Sequence, residues 1–202
     1  MDAVIAPEAD AAPTFTAMSN AKPEDWARLG ALFLPFAREL PKRVLGQLEM
    51  LHGGVHGFPV DRLEHCLQTA TRAARDGRDD EYVVCALTHD LGDLICPYNH
   101  TELATALLRP FVSDANLWMV EKHGVFQKYF YGQLSEPARN ARDQYAGHPF
   151  FDQTAEFCAL YDQVSFDPNY QSLPLEAFAP ALDRVLGAPR PGVIERVMQA
   201  AE

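Results

Sequence analysis

Val83-Val84-Cys85-Ala86-Leu87-Thr88-His89-Asp90-Leu91-Gly92-Asp93 is an apolar run that ends in an imidazole and two carboxylates. A helix that is apolar on nearly every side belongs at the centre of a domain. Ionisable groups at the end of such a helix are costly to bury without partners. A bound cation resolves the conflict, so the reading turns on whether further ligands arrive from elsewhere. The pattern predicts a helix from about Asp80 to Leu91, with Gly92 suited to its C-terminal cap.

Upstream, Asp61 is placed to cap a helix and Glu64 stands three residues on, as in a capping box. Leu63, Cys66, Leu67, Ala70 and Ala74 form its apolar stripe. His65 lies off that stripe beside Thr69 and Arg72, either exposed or turned to a polar pocket on another flank. The preceding His52-Gly53-Gly54-Val55-His56-Gly57-Phe58-Pro59 is a loop whose glycines and proline break regular structure. Its two histidines either border a site or sit in solvent. Downstream, Cys96-Pro97-Tyr98-Asn99 interrupts the helical pattern, and Asn99 with Glu102 looks like another capping arrangement. His100 then shares a helix face with Leu103, Ala104, Leu107 and Leu108. After a cap at Ser113, His123 shares a face with Met119 and Val120. Phe126, Tyr129, Phe130 and Tyr131 surround Lys128, and Phe151, Ala155, Cys158 and Asp162 line up on a later helix.

Outside this core, residues 1–22 are rich in Ala and Pro and read as a flexible leader. Pro23 opens a helical pattern through Trp26, Leu29, Phe33 and Phe36, a second helix is expected over about 42–51, and Pro174 and Pro189 punctuate two closing helices. No convincing strand is visible, so the fold class is all-α, with one domain over 23–202. With 48% hydrophobic residues among 202, the chain can build one sizeable core. Its 28 acidic against 17 basic residues give a net charge of -11, which argues against nucleic acid and anionic membrane surfaces as partners. No apolar segment approaches a spanning length and the start lacks a signal-peptide pattern, so a cytoplasmic protein is expected. Cys66, Cys85, Cys96 and Cys158 show no paired spacing and read as small apolar residues.

His65, His89, Asp90, His100, His123 and Asp162 therefore form a constellation drawn from separate helices. Four histidines and two carboxylates are enough for two metal ions with one carboxylate bridging, and a thiolate-free set favours iron, manganese or zinc. Their order, with His89-Asp90 adjacent on a buried helix, resembles the HD-domain superfamily over roughly residues 55–180. Leu63-Glu64-His65-Cys66-Leu67-Gln68, Thr88-His89-Asp90-Leu91-Gly92 and the Phe157 to Asp162 helix followed by Asp167-Pro168 resemble the branch of myo-inositol oxygenase and the HD-domain phosphonate oxygenases. That resemblance implies an all-α helical bundle around two Fe ions in a mixed-valent Fe(II)/Fe(III) state, with Mn or Zn as alternatives. It implies dioxygen-dependent cleavage of a C–C or C–heteroatom bond in a small hydroxylated molecule. His65, His89, Asp90 and Asp162 would hold one iron, and His100 and His123 the other, with Asp90 bridging.

The chain departs from those relatives at informative places. Asp93 stands where inositol oxygenase has lysine, Ala159 where phosphonate enzymes carry arginine, and Val55 and Phe58 where they place Tyr and Glu ahead of the first ligand. An acidic Asp93, with Phe58, Tyr98, Phe126 and Tyr129 as walls, would suit an ammonium or quaternary ammonium group, and Lys128 could meet a carboxylate. The alternative is that Asp93 is solvated past a helix end and the aromatics are core. The competing class is a metal-dependent HD phosphohydrolase acting on a phosphate ester or nucleotide.

Overall fold

A computed structural model of the protein describes residues 13–54 and 57–193. Much of the expected leader, the loop residues Val55 and His56 and the end of the closing helical pattern lie outside them. The chain divides into two compact units, Met1–Leu40 and Pro41–Glu202. The described residues contain no strand, so the fold is all-α.

The first unit holds a 3-10 turn, Met18–Asn20, and helix α1, Pro23–Arg38. Pro23 occupies the first helical position, where its missing N–H costs nothing, and the Asp25 carboxylate accepts the Lys22 backbone N–H at 3.0 Å. Phe15 stacks on Trp26 within this unit.

Helix α2, Leu40–Glu49, leads into the second unit and buries Val44 and Leu48. Helix α3, Arg62–Arg75, begins as the sequence predicts, with the Asp61 carboxylate accepting the Glu64 N–H. Helix α4, Asp80–Thr88, is the central element: every residue from Tyr82 to Thr88 is buried. It is followed by α5 (His100–Leu108), α6 (Asp114–Gln127), the short α7 (Glu136–Arg139), α8 (Phe151–Phe157) and α9 (Ala179–Leu186). Helices α3, α6 and α9 all pack against α4, and α5 and α8 pack against α6. Every apolar position of α4 thus has a neighbouring helix to bury it, which is what its all-round hydrophobicity requires.

Two local departures from the expected pattern position the site. Helix α4 stops at Thr88, three residues short of the expectation, and the chain turns through His89 and Asp90 into a 3-10 segment, Leu91–Leu94. Gly92 is not a left-handed cap, being absent from the positive-φ glycines. Instead a Cβ there would collide with the backbone of His100. The glycine lets the start of α5 lie directly against the turn after His89-Asp90. The second departure is in α8, which continues as a π-helical turn, Cys158–Asp162. Such turns recur at functional sites, where one extra residue re-aims the side chains beyond it.

Candidate metal centre

All six expected ligand residues converge below the C-terminal end of α4. His65 comes from the first turn of α3, His89 and Asp90 from the end of α4, His100 from the first position of α5, His123 from α6, and Asp162 from the π-helical turn. His65, His89, Asp90, His123 and Asp162 are buried; the His100 side chain is 27% exposed.

The two oxygens of Asp90 divide the histidines into two sets. Oδ2 lies 3.5 Å from Nε2 of both His65 and His89. Oδ1 lies 3.2 Å from Nε2 of both His100 and His123. Asp162 Oδ1 completes the first set, at 3.3 Å from His65 Nε2 and 3.8 Å from His89 Nε2. Donor atoms of His65, His89 and Asp162, and separately of His89, Asp90 and His123, lie within 4.8 Å of one another.

The proton inventory tests whether a cation fits. Nδ1 of His65, His89 and His123 lies 2.9, 2.8 and 2.7 Å from the backbone carbonyls of Ser165, Ala86 and Val120. A carbonyl only accepts, so each Nδ1 carries the hydrogen and each neutral ring turns an Nε2 lone pair inward. His65 Nε2 and His89 Nε2 then face each other at 3.2 Å, two acceptors in contact. Asp162 Oδ2 adds a buried oxygen without a hydrogen-bond partner. Lone pairs and carboxylates converge with too few donors, and a positive ion would supply what is missing. Main-chain acceptors behind ligating imidazoles are also the usual means of fixing their tautomer.

The electrostatics agree. Burial would raise the Asp90 carboxyl, but His89, the His123 hydrogen bond and Arg62 outweigh it and hold it well below the usual carboxylate range. Asp162 is likewise lowered, its burial outweighed by His65, His89 and His123. Burial pushes the His89 imidazole down to about 4, keeping it neutral and available as a ligand. His123 is also buried, yet its hydrogen bond to Asp90 and the charges of Asp90 and Asp162 raise it.

A cavity of about 130 Å3 opens onto the cluster, lined by Phe58, Arg62, His65, Asp90, His100, His123, Gly124, Gln127, Tyr131, Asp162 and Phe166. Of the expected substrate contacts, Phe58 lines it, stacked on Phe166 at 5.0 Å. Phe166 in turn stacks on His65 at 4.4 Å. Tyr98 is fully exposed, and Phe126 is buried in the core against Trp118 and Phe151. Tyr129 packs under the Arg142 guanidinium, and neither it nor Lys128 lines the cavity. Asp93 is engaged by Arg62, Nε to Oδ2 at 2.8 Å, and by His100, Nδ1 to Oδ1 at 3.3 Å. In the loop before α3, His52 lies 2.9 Å from Asp61, and His56 is outside the described residues.

Sequence reading missed five lining residues, Arg62, Gly124, Gln127, Tyr131 and Phe166. Arg62 stands one turn before His65 and Gln127 one turn after His123, so helical spacing from a ligand was the available signal. Gln127 Nε2 donates to Asp162 Oδ1 at 2.8 Å, while its Oε1 is buried without a partner. Because a carboxylate only accepts, the amide orientation is fixed and Oε1 must face away from Asp162. Phe166 and Tyr131 carried no such signal, since aromatics outside a periodic helix read as core.

No model of a known protein family matches the chain. The chain is similar to a [1-hydroxy-2-(trimethylamino)ethyl]phosphonate dioxygenase (glycine-betaine-forming) of Leisingera caerulea, 27% identical over 119 residues that cover 50% of this chain. The match spans 61% of that protein's length. The relative is an oxygenase whose substrate bears a trimethylamino group. Among the described residues, no helix is long and apolar enough to cross a membrane.

Proposed function

We propose that the protein is a dinuclear iron oxygenase that uses O2 to cleave a bond next to a hydroxyl-bearing carbon in a small, ammonium-bearing substrate. The observation that carries this reading is the division of His65 and His89 from His100 and His123 by the two oxygens of Asp90. His65, His89, Asp90 and Asp162 would hold one ion; His100, His123 and Asp90 would hold the other. Bound iron would supply a site for O2 and for the substrate's hydroxyl oxygen, and a path for electrons from substrate to O2.

The remaining residues shape access and orientation. Phe58 and Phe166 wall the cavity with aromatic faces suited to methylated ammonium groups. Gln127 Oε1 offers an acceptor to a hydroxyl or ammonium N–H. Arg62 alone among the described lining residues carries a fixed positive charge that an acidic substrate end can meet.

For a hydroxyphosphonate of the relative's type the reaction balances simply. R–CH(OH)–PO3H2 with O2 yields R–COOH and phosphoric acid: one C–H and one C–P bond give up four electrons, carbon gains one oxygen atom and phosphorus the other. Anaerobically purified protein loaded with Fe(II) and assayed for O2 uptake with 1-hydroxy-2-(trimethylamino)ethylphosphonate and its trimethylamino hydroxy-carboxylate counterpart tests the proposal. A mixed-valent diiron EPR signal perturbed by either compound, with matching O2 uptake, is the expected result. A redox-silent ion with phosphate-ester turnover would overturn it.

A further inference from the structure

Arg62, Asp93 and His100 form a chain of charged contacts that ends on Asp90. Arg62 Nη1 donates to Asp90 Oδ2 at 2.6 Å, and its Nε lies 2.8 Å from Asp93 Oδ2. The other oxygen of Asp93 lies 3.3 Å from His100 Nδ1. Both carboxylates are therefore gripped by one guanidinium whose side chain is only 12% exposed. Asp93 in turn faces His100 Nδ1, while Asp90 Oδ1 lies 3.2 Å from Nε2 on the other side of the ring.

His100 needs this support more than the other three histidines. His65, His89 and His123 each give Nδ1–H to a backbone carbonyl, an acceptor no side-chain substitution removes. His100 sits at the first position of α5, before any helical carbonyl is in reach of its ring, and its side chain is 27% exposed. Asp93 is the acceptor that its Nδ1 meets. Gly92 brings the two together by letting the His100 backbone lie against the turn.

From this geometry we infer that Asp93, clamped by Arg62, is a positioning residue for the second metal ion, setting the tautomer and direction of His100 rather than contacting the substrate's ammonium group. This rests on the two-ion reading above. It gives the pair of metal positions unequal dependence on side chains: the His65/His89/Asp162 position is held from the main chain, and the His100/His123 position relies on a carboxylate. An outer partner of a metal-bound histidine typically changes metal affinity by about 10- to 100-fold.

The test is an anaerobic titration of the metal-free protein with Mn(II), followed through the EPR signal of the free ion. Wild type is expected to bind two ions. Asp93→Asn should weaken one of them by roughly 10- to 100-fold and leave the other unchanged, with Asp93→Glu restoring part of the loss. Circular dichroism of the metal-free variants confirms that each is folded. If Asp93→Asn binds both ions as wild type does, the inference is overturned while the two-ion reading stands. If wild type itself binds fewer than two, both fall together. Arg62→Gln gives a second arm: it removes the clamp on Asp93 together with the donor to Asp90 Oδ2, so unchanged affinity for both ions there would also count against the inference.

Discussion

The two ends of α4 each carry carboxylates, and they solve the same problem in opposite ways. Near the N-terminal end, Glu81 Oε1 accepts from the Ser113 N–H at 2.8 Å, the Ser113 hydroxyl at 2.6 Å and the Asn116 amide at 2.6 Å. Three donors meet one oxygen, and the group is complete within the protein. At the C-terminal end, Asp90 and Asp162 face imidazole nitrogens that main-chain carbonyls have already fixed as acceptors. A satisfied carboxylate ties helices together; an unsatisfied set is a site.

Substitutions at the two ends should separate along that line. The largest effect is expected from Asp90→Asn, which removes the oxygen pair shared by both histidine sets. Metal analysis should find neither ion retained and O2 uptake at background, and retention of both ions would break the contrast at its root. Next comes Phe126→Ala, which sharpens it from the side of the core. Truncating this fully buried ring should cost about 3–5 kcal/mol in chemical denaturation, with metal stoichiometry intact.

Glu81→Ala strands the donors of Ser113 and Asn116 and should cost about 1–3 kcal/mol. For a chain of this size that lowers the melting temperature by about 2–4 °C per kcal/mol, again with both ions bound. If metal binding falls with it, the two ends are not independent. The smallest stability effect is expected from Phe58→Ala at the exposed cavity wall. Calorimetry should barely register it, while the KM for a trimethylammonium substrate rises more than kcat falls.

Metal itself is a further probe. An ion that binds only the folded chain, added at about 100 times its dissociation constant, stabilises by about 2.7 kcal/mol. A chelator should reverse that shift in wild type and do nothing in Asp90→Asn.

The same physics decides how much was legible in the sequence. The clustered residues were readable because an ionisable group on an apolar face is anomalous wherever it occurs, and six anomalies in one chain ask for a common cause. Asp61 and Ser113 as caps were readable from local chemistry alone, and both side chains accept from the third backbone N–H beyond them. Asn99 was not: it gives its amide to the Glu102 carboxylate and makes no side-chain cap bond. The substrate contacts were the hardest to read. Whether Phe126 or Tyr131 faces a cavity depends on how helices pack across the bundle, which neighbouring residues do not encode. Arg62 was hidden for a related reason: its meaning comes from two carboxylates, Asp90 and Asp93, that only the turn after α4 brings to it.

The π-helical turn at Cys158–Asp162 has a further consequence, for insertions and deletions rather than substitutions. One residue on a helix is worth about 100° of rotation. Tightening that turn to α-geometry at its present length would swing Asp162 out of the cluster, whereas losing one of residues 158–161 with the tightening would largely compensate. At Asp162, chain length is as much a part of the cluster's geometry as the carboxylate itself.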